Sequence, residues 1–148
     1  MSTTNIFRRF NGSIANLVGT PAFHALLVIV ARILTATIFI IAGFGKLGAG
    51  YAATQGYMAS AGLPGALLPF VIALEIGGGL ALVLGFQTRL VAFLLAGFCI
   101  VTGLVFHAGP DQQIMLMKNL AMAGGLLAFT AFGAGRPSLD GEARTQPY

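Results

Sequence analysis

Glu75 stands near the middle of an apolar run, Ala66 to Gly85, that reads ALLPFVIALEIGGGLALVLG. A carboxylate at that place can take up a proton, accept hydrogen bonds or hold a cation. Twenty or so apolar residues cross the ~30 Å hydrocarbon layer of a bilayer, and a charge at its centre costs roughly 2.5–3.5 kcal/mol on insertion scales. Glu75 therefore has to be protonated, face a wet cavity or meet a positive group. Two cations are placed to serve it: Arg32 inside the first apolar run, and Lys118, beside Asn119, at the start of the last one.

Depth selects among them. At ~1.5 Å per residue, Arg32 lies about 10 Å from the inner end of a first span that begins at Ala25, and Glu75 lies about 15 Å from the inner end of the second. The long arginine side chain closes that difference, so the sequence predicts an Arg32–Glu75 pair as the hub of the assembly. Pairing offsets much of the cost of two isolated charges. Lys118 approaches from the outer side and either shares the carboxylate or snorkels to the interface. Lys46 is expected to snorkel.

Other chemistries fail on residue type or spacing. Cys99 is the sole cysteine, so no internal disulfide, CxxC pair or thiolate metal site exists, and it reads as a small buried hydrophobe. His24 and His107 fall at opposite membrane edges and cannot hold one haem within a monomer. Neither has a second ligand nearby, so no metal site is expected. Ser60 lacks a histidine or carboxylate partner in the pattern. No glycine loop with its lysine cradles a phosphate. No catalytic residue can be assigned, and activity of the chain on its own is not expected.

The elements that must position these groups follow from composition. Of 148 residues, 57% are hydrophobic and 8% charged, against about 25% charged in soluble domains. Such a chain cannot cover its own surface with polar groups, so its partner is the lipid bilayer. The net charge of +4 comes from basic residues scattered at the ends of apolar runs, which is membrane topology rather than a nucleic-acid signal.

The expected architecture is an all-α, antiparallel four-helix transmembrane bundle over residues 23–135, with tails at 1–22 and 136–148. The first tail, with Arg8 and Arg9 among Ile6, Phe7 and Phe10, is either a short basic amphipathic helix on the membrane surface or a mobile arm. Span one runs from about Ala25 to Gly45. At the helical period Arg32, Thr35, Ala36, Phe39, Gly43 and Lys46 share a face, with Leu34, Ile38 and Ile41 opposite. The first outer loop, Lys46 to Gly65, has room for a short interfacial helix over Tyr51 to Ala61. Span two carries Pro69 in its first turn and Gly77, Gly78 and Gly79, which let another backbone approach. Gly85 suits a helix C-cap and Thr88 the next N-cap. Spans three, Leu90 to Phe106, and four, Ile114 to Gly133, follow. Span three brings Ala92 and Ala96 to a close contact, and span four a smooth face of Ala121 and Gly125. Arg8, Arg9, Arg89, Arg136 and Arg144 lie on one side and Lys46 and Lys118 on the other, which predicts both termini in the cytoplasm.

Several segments in order resemble the DoxX family of small bacterial four-helix inner-membrane proteins. They are the Arg32-containing span, Ala42-Gly43-Phe44-Gly45-Lys46, Gly62-Leu63-Pro64, Glu75-Ile76-Gly77-Gly78-Gly79 and Gly85-Phe86-Gln87-Thr88-Arg89. Met117-Lys118-Asn119-Leu120-Ala121 and Gly133-Ala134-Gly135-Arg136-Pro137-Ser138-Leu139-Asp140 complete the set. The resemblance spans roughly Ala31 to Asp140. It implies a four-helix bundle in the bacterial inner membrane. It also implies an association with quinol oxidases or other respiratory and thiol-redox systems, with Arg32, Lys46, Glu75, Lys118, Asn119 and the Ser138-Leu139-Asp140 ending carried over. Electrons would have to come from a bound quinone or a redox-enzyme subunit. Cations and an amide suit a quinone carbonyl and apolar walls its tail. The competing readings are a transporter or efflux component and a structural scaffold. Oligomeric state, a homo-oligomer included, is left open.

Overall fold

A computed structural model describes residues 3–141. Six α-helices succeed one another: α1 Thr3–Gly19, α2 Pro21–Gly45, α3 Ala49–Ser60, α4 Leu68–Leu84, α5 Thr88–His107 and α6 Gln113–Phe132. No strand occurs among the described residues. Four segments are long and apolar enough to cross a membrane: Pro21–Gly45, Gly65–Leu84, Thr88–His107 and Pro110–Phe132. The protein is an all-helical, four-helix membrane bundle.

The helices begin and end where backbone chemistry directs. Pro21 opens α2, where its absent N–H would be unbonded anyway and its φ is preset. A 3₁₀ turn, Gly65–Leu67, leads into α4. Gly85 then ends α4 in the left-handed region, φ 65° and ψ 46°. Its N–H bonds Leu82 O at 3.1 Å and that of Phe86 bonds Ala81 O at 2.9 Å, a Schellman ending. The following N-cap is not Thr88. Gln87 occupies that position at φ 47° without a side-chain cap of its own, and the cap comes from far along the chain.

Packing follows the small residues. On α2, Arg32, Ala36, Phe39 and Gly43 are buried, while Leu34, Ile38 and Ile41 are exposed, as the period predicts. A Cβ on Gly43 would meet Ile76 Cγ1 at 2.6 Å, and one on Gly79 would meet Ile40 Cγ1 at 2.6 Å and Ala36 O at 3.3 Å. These glycines therefore bring the α2 and α4 backbones together. Gly78 does the same toward Leu95 of α5, but Gly77 faces open space. On α5, Ala92 and Ala96 are buried with Leu95 and Cys99, against Ala123 and Leu126 of α6. Ala121 and Gly125 face outward instead, so the smooth surface expected of them belongs to Ala123.

Outside the bundle, α3 runs for 12 residues, longer than the turn or two expected, and Tyr57 stacks on Phe106 with ring centroids 4.8 Å apart. The amino-terminal segment forms α1, with Ile6, Phe7, Phe10, Ile14 and Leu17 exposed. Residues 136–141, expected to be a polar tail, are docked against the end of the bundle through backbone bonds to Leu84 and Gly85.

Candidate functional site

Two polar clusters occupy opposite ends of the bundle. The first is built on Glu75, which is 3% exposed. Lys46 grips both carboxylate oxygens, with Nζ 2.9 Å from Oε1 and 2.8 Å from Oε2. The same Nζ donates to Ala42 O at 3.2 Å. Lys46 lies just past the last turn of α2, so its chain folds back along the helix to reach the carboxylate. Its side chain is 22% exposed against 4% for Glu75. The pair thus joins an accessible ammonium to a sealed carboxylate. The snorkelling expected of Lys46 does not occur.

The expected Arg32–Glu75 pair does not form either. The register of the antiparallel α2 and α4 decides this. Gly43 lies beside Glu75 and Ile76, Ala36 and Ile40 lie beside Gly79, and Arg32 lies beside Gly85. Arg32 is therefore ten residues farther down α4 than Glu75, about 15 Å along the axis. The two spans are not flush at their inner ends, as equal depth would require. Helix α2 starts at Pro21, has 25 residues and runs past the end of the 17-residue α4.

Lys118 and Asn119 do not join Glu75. Lys118 is exposed. Asn119 packs its Cβ against Gly103 of α5 and donates Nδ2–H to Met115 O at 3.0 Å. Their helix pairs with α5, which leaves the Glu75 carboxylate to α2.

The second cluster gathers around Arg32, itself 3% exposed. Its Nη2 donates to Pro137 O at 2.5 Å, while Nε and Nη1 are buried without a hydrogen-bond partner. A Cβ at Gly85 would collide with Nη1 and with Ser138, so a glycine is required there for space as well as for its positive φ. Beside Arg32 the carboxyl-terminal strap lies across the α4–α5 turn. Leu139 N–H bonds Leu84 O at 3.1 Å and Asp140 N–H bonds Gly85 O at 2.8 Å. In return, Asp140 Oδ1 accepts from Gln87 N–H at 2.7 Å and Oδ2 from Thr88 N–H at 2.9 Å. Asp140 thus supplies the capping carboxylate for the start of α5 from more than fifty residues along the chain. Burial pushes its carboxyl up, but hydrogen bonds from Thr88 and Gln87 and the Arg32 charge outweigh this and hold it below the usual carboxylate value. Arg89 completes the end by donating Nη1–H to Thr130 O at 3.1 Å and Ala131 O at 2.5 Å, the free carbonyls that end α6.

The strap was not legible as a structural part. Its signal was the turn residues Gly133, Gly135 and Gly141, each at positive φ, around a short Ser138-Leu139-Asp140 motif that nothing local explains. Beside it, Pro21, His24, Ala25, Arg136, Pro137, Ser138 and Gly141 line an open cleft of ≈ 590 Å³.

No solved structure matches the chain. Two inner-membrane proteins of Escherichia coli K12 do. YqjF is 48% identical over 116 residues, covering 76% of this chain and 88% of that protein. YphA is 36% identical over 130 residues, covering 80% and 91%. The DoxX family profile matches residues 27–108, a stretch that holds both Arg32 and the Lys46–Glu75 pair, and the chain belongs to the DoxX family.

Proposed function

We propose that this protein is a non-catalytic accessory subunit of a respiratory or thiol-redox assembly in the bacterial inner membrane, with both termini in the cytoplasm. In this reading the Lys46–Glu75 pair is its contact point for a quinone-like ligand or a partner subunit. The observation that carries the reading is the asymmetry of that pair: a sealed carboxylate at 4% exposure holds a lysine that is 22% open. A ligand carbonyl arriving at the outer end competes for Nζ, and the apolar wall of Gly43 and Ile76 suits a hydrocarbon tail. The orientation is supported by Arg8, Arg9, Arg89 and Arg136 at the strap end, against Lys46 and Lys118 at the other. A proton-coupled transporter is disfavoured, because a carboxylate that must cycle its proton should not be clamped by an ammonium.

The test is photo-labelling of membranes with a quinone analogue, together with copurification from the native host. Labelling of the wild type that is lost in Glu75→Gln, at equal protein level, supports the reading. Equal labelling of both proteins with no oxidoreductase recovered refutes it. A scaffold reading is favoured by one observation, the Lys46 bond to Ala42 O, which completes the pair within the chain. It predicts that Lys46→Met with Glu75→Leu keeps both assembly and cellular function.

A further inference from the structure

Helix α1 stands outside both polar clusters and contributes nothing to the bundle core. Its apolar residues nevertheless share one face. At about 100° per residue, Ile6, Phe7, Phe10, Ile14 and Leu17 fall within an arc of about 100°, and Arg8, Arg9, Gly12 and Asn16 fall on the opposite side. The bundle does not bury this face, because its five side chains are 47–69% exposed. A contiguous apolar surface left open in this way marks a site of interaction.

The connection to α2 fixes where that surface lies. Thr20 is the one residue between the two helices. It is extended, with φ −67° and ψ 134°, so α1 breaks from the axis of α2 rather than continuing it. One residue of chain reaches at most about 3.6 Å, and Pro21 opens a membrane span. The carboxyl end of α1 therefore sits at the membrane boundary. With 17 residues and two adjacent arginines, the helix is unsuited to crossing the bilayer itself.

Charge then selects what covers the face. Helix α1 contains no acidic residue, so a second α1 packed upon it would offer Arg8 and Arg9 no counter-charge. A leaflet of phosphate-bearing lipid offers an apolar depth to the face and anions to the guanidiniums. A helix divided in this way lies in the interface with its apolar side sunk about 5–10 Å.

We propose that α1 is an in-plane anchor, its apolar face sunk in the leaflet at the strap end of the bundle and Arg8 and Arg9 gathering anionic phospholipid around it. The surface is separate from the Lys46–Glu75 pair, which lies at the opposite end of α2.

The chain has no tryptophan, so a single introduced one reports alone. The full chain carrying Phe10→Trp or Asn16→Trp is reconstituted in phosphatidylcholine vesicles with a minor share of phosphatidylglycerol. Bromines on the upper acyl chain should quench Phe10→Trp, and aqueous acrylamide should quench Asn16→Trp. With bromine placed on one lipid at a time, quenching of Phe10→Trp should report phosphatidylglycerol enriched around α1 about fivefold or more over phosphatidylcholine, the preference that one basic residue near a membrane surface provides. Arg8→Gln with Arg9→Gln should abolish the enrichment and leave the quenching of Phe10→Trp by brominated lipid in place. Acrylamide reaching Phe10→Trp as freely as Asn16→Trp would put α1 off the membrane and overturn the proposal. Shielding of Phe10→Trp from both quenchers would mean that protein covers the face, and overturns it too. So does an enrichment that is absent in the wild type or that survives the loss of both arginines.

Discussion

Replacing Lys46 with methionine isolates the chemistry of Glu75. The carboxylate is 3% exposed and receives its side-chain hydrogen bond from Lys46 Nζ, so Lys46→Met leaves a sealed charge with no cation. Breaking a buried pair from one side costs about 3–5 kcal/mol. The variant has one escape, protonation of Glu75. From an ordinary glutamate value of about 4.3, that costs about 3.7 kcal/mol at pH 7. The two figures agree, so the expected loss is about 3–4 kcal/mol at pH 7. Because the escape consumes a proton, the loss should shrink by about 2.7 kcal/mol at pH 5, at about 1.36 kcal/mol per unit. Glu75→Gln removes the charge instead and frees Lys46 to extend toward the outer interface, so its cost should stay near 1 kcal/mol, that of one lost hydrogen bond, and be flat with pH. Equilibrium unfolding in mixed micelles, followed by far-ultraviolet circular dichroism at both pH values, reads all of this. Lys46→Met and Glu75→Gln equally stable at pH 7, or no recovery of Lys46→Met in acid, would refute the ion-pair account.

The remaining predictions use the same assay or amide exchange. Gly43→Ala should destabilise by about 1–3 kcal/mol as an overpacked contact, since its Cβ meets Ile76 Cγ1 at 2.6 Å and the Ile76 backbone N at 3.2 Å. Gly77→Ala, with nothing within 4 Å, should be neutral or slightly stabilising. Asp140→Asn should cost about 1–2 kcal/mol, the upper range for a helix cap, and expose the Gln87 and Thr88 amides to exchange. The Asp140 carboxyl lies below its ordinary value in the folded protein. Its contribution is therefore complete above the ordinary aspartate value of about 3.9 and fades as the pH falls through the lower native value. Protection of those two amides, corrected for intrinsic rate, should fall in acid in the wild type and stay flat in Asp140→Asn. Acid-independent protection in both proteins would exclude Asp140 as the cap.

How the sequence encodes this fold differs from element to element. The four crossings were legible because a bilayer leaves the backbone little alternative to a helix, and twenty apolar residues define one crossing. The buried face of α2 was legible because Arg32, Ala36, Phe39 and Gly43 recur at the helical period. The partner of Glu75 was not, because apolar patterning says where a helix lies in lipid but not how far it slides past its neighbour. Span two and the α4–α5 turn were bounded correctly by Gly85. The inner end of span one lies at Pro21, four residues before the Ala25 that the apolar pattern indicates. The strap was hidden for another reason. Asp140 bonds residues 52 and 53 positions away, and no local period announces such a cap.

The register could nonetheless have been found by reading glycines before charges. Between two membrane helices no hydrophobic force favours one offset, so the offset that brings backbones closest prevails. Only certain alignments set Gly43 and Gly79 each against a β-branched side chain, Ile76 and Ile40. That alignment puts the end of α2 beside Glu75 and Arg32 beside Gly85. The ions then take the partners within reach. Lys46 folds inward because Glu75 is the acceptor at its level, and Arg32 turns to the Pro137 carbonyl because Glu75 is about three turns away. In this bundle the small residues choose the offset and the charges adapt to it. A Gly79→Leu variant that still forms the Lys46–Glu75 pair would show that the ions lead instead.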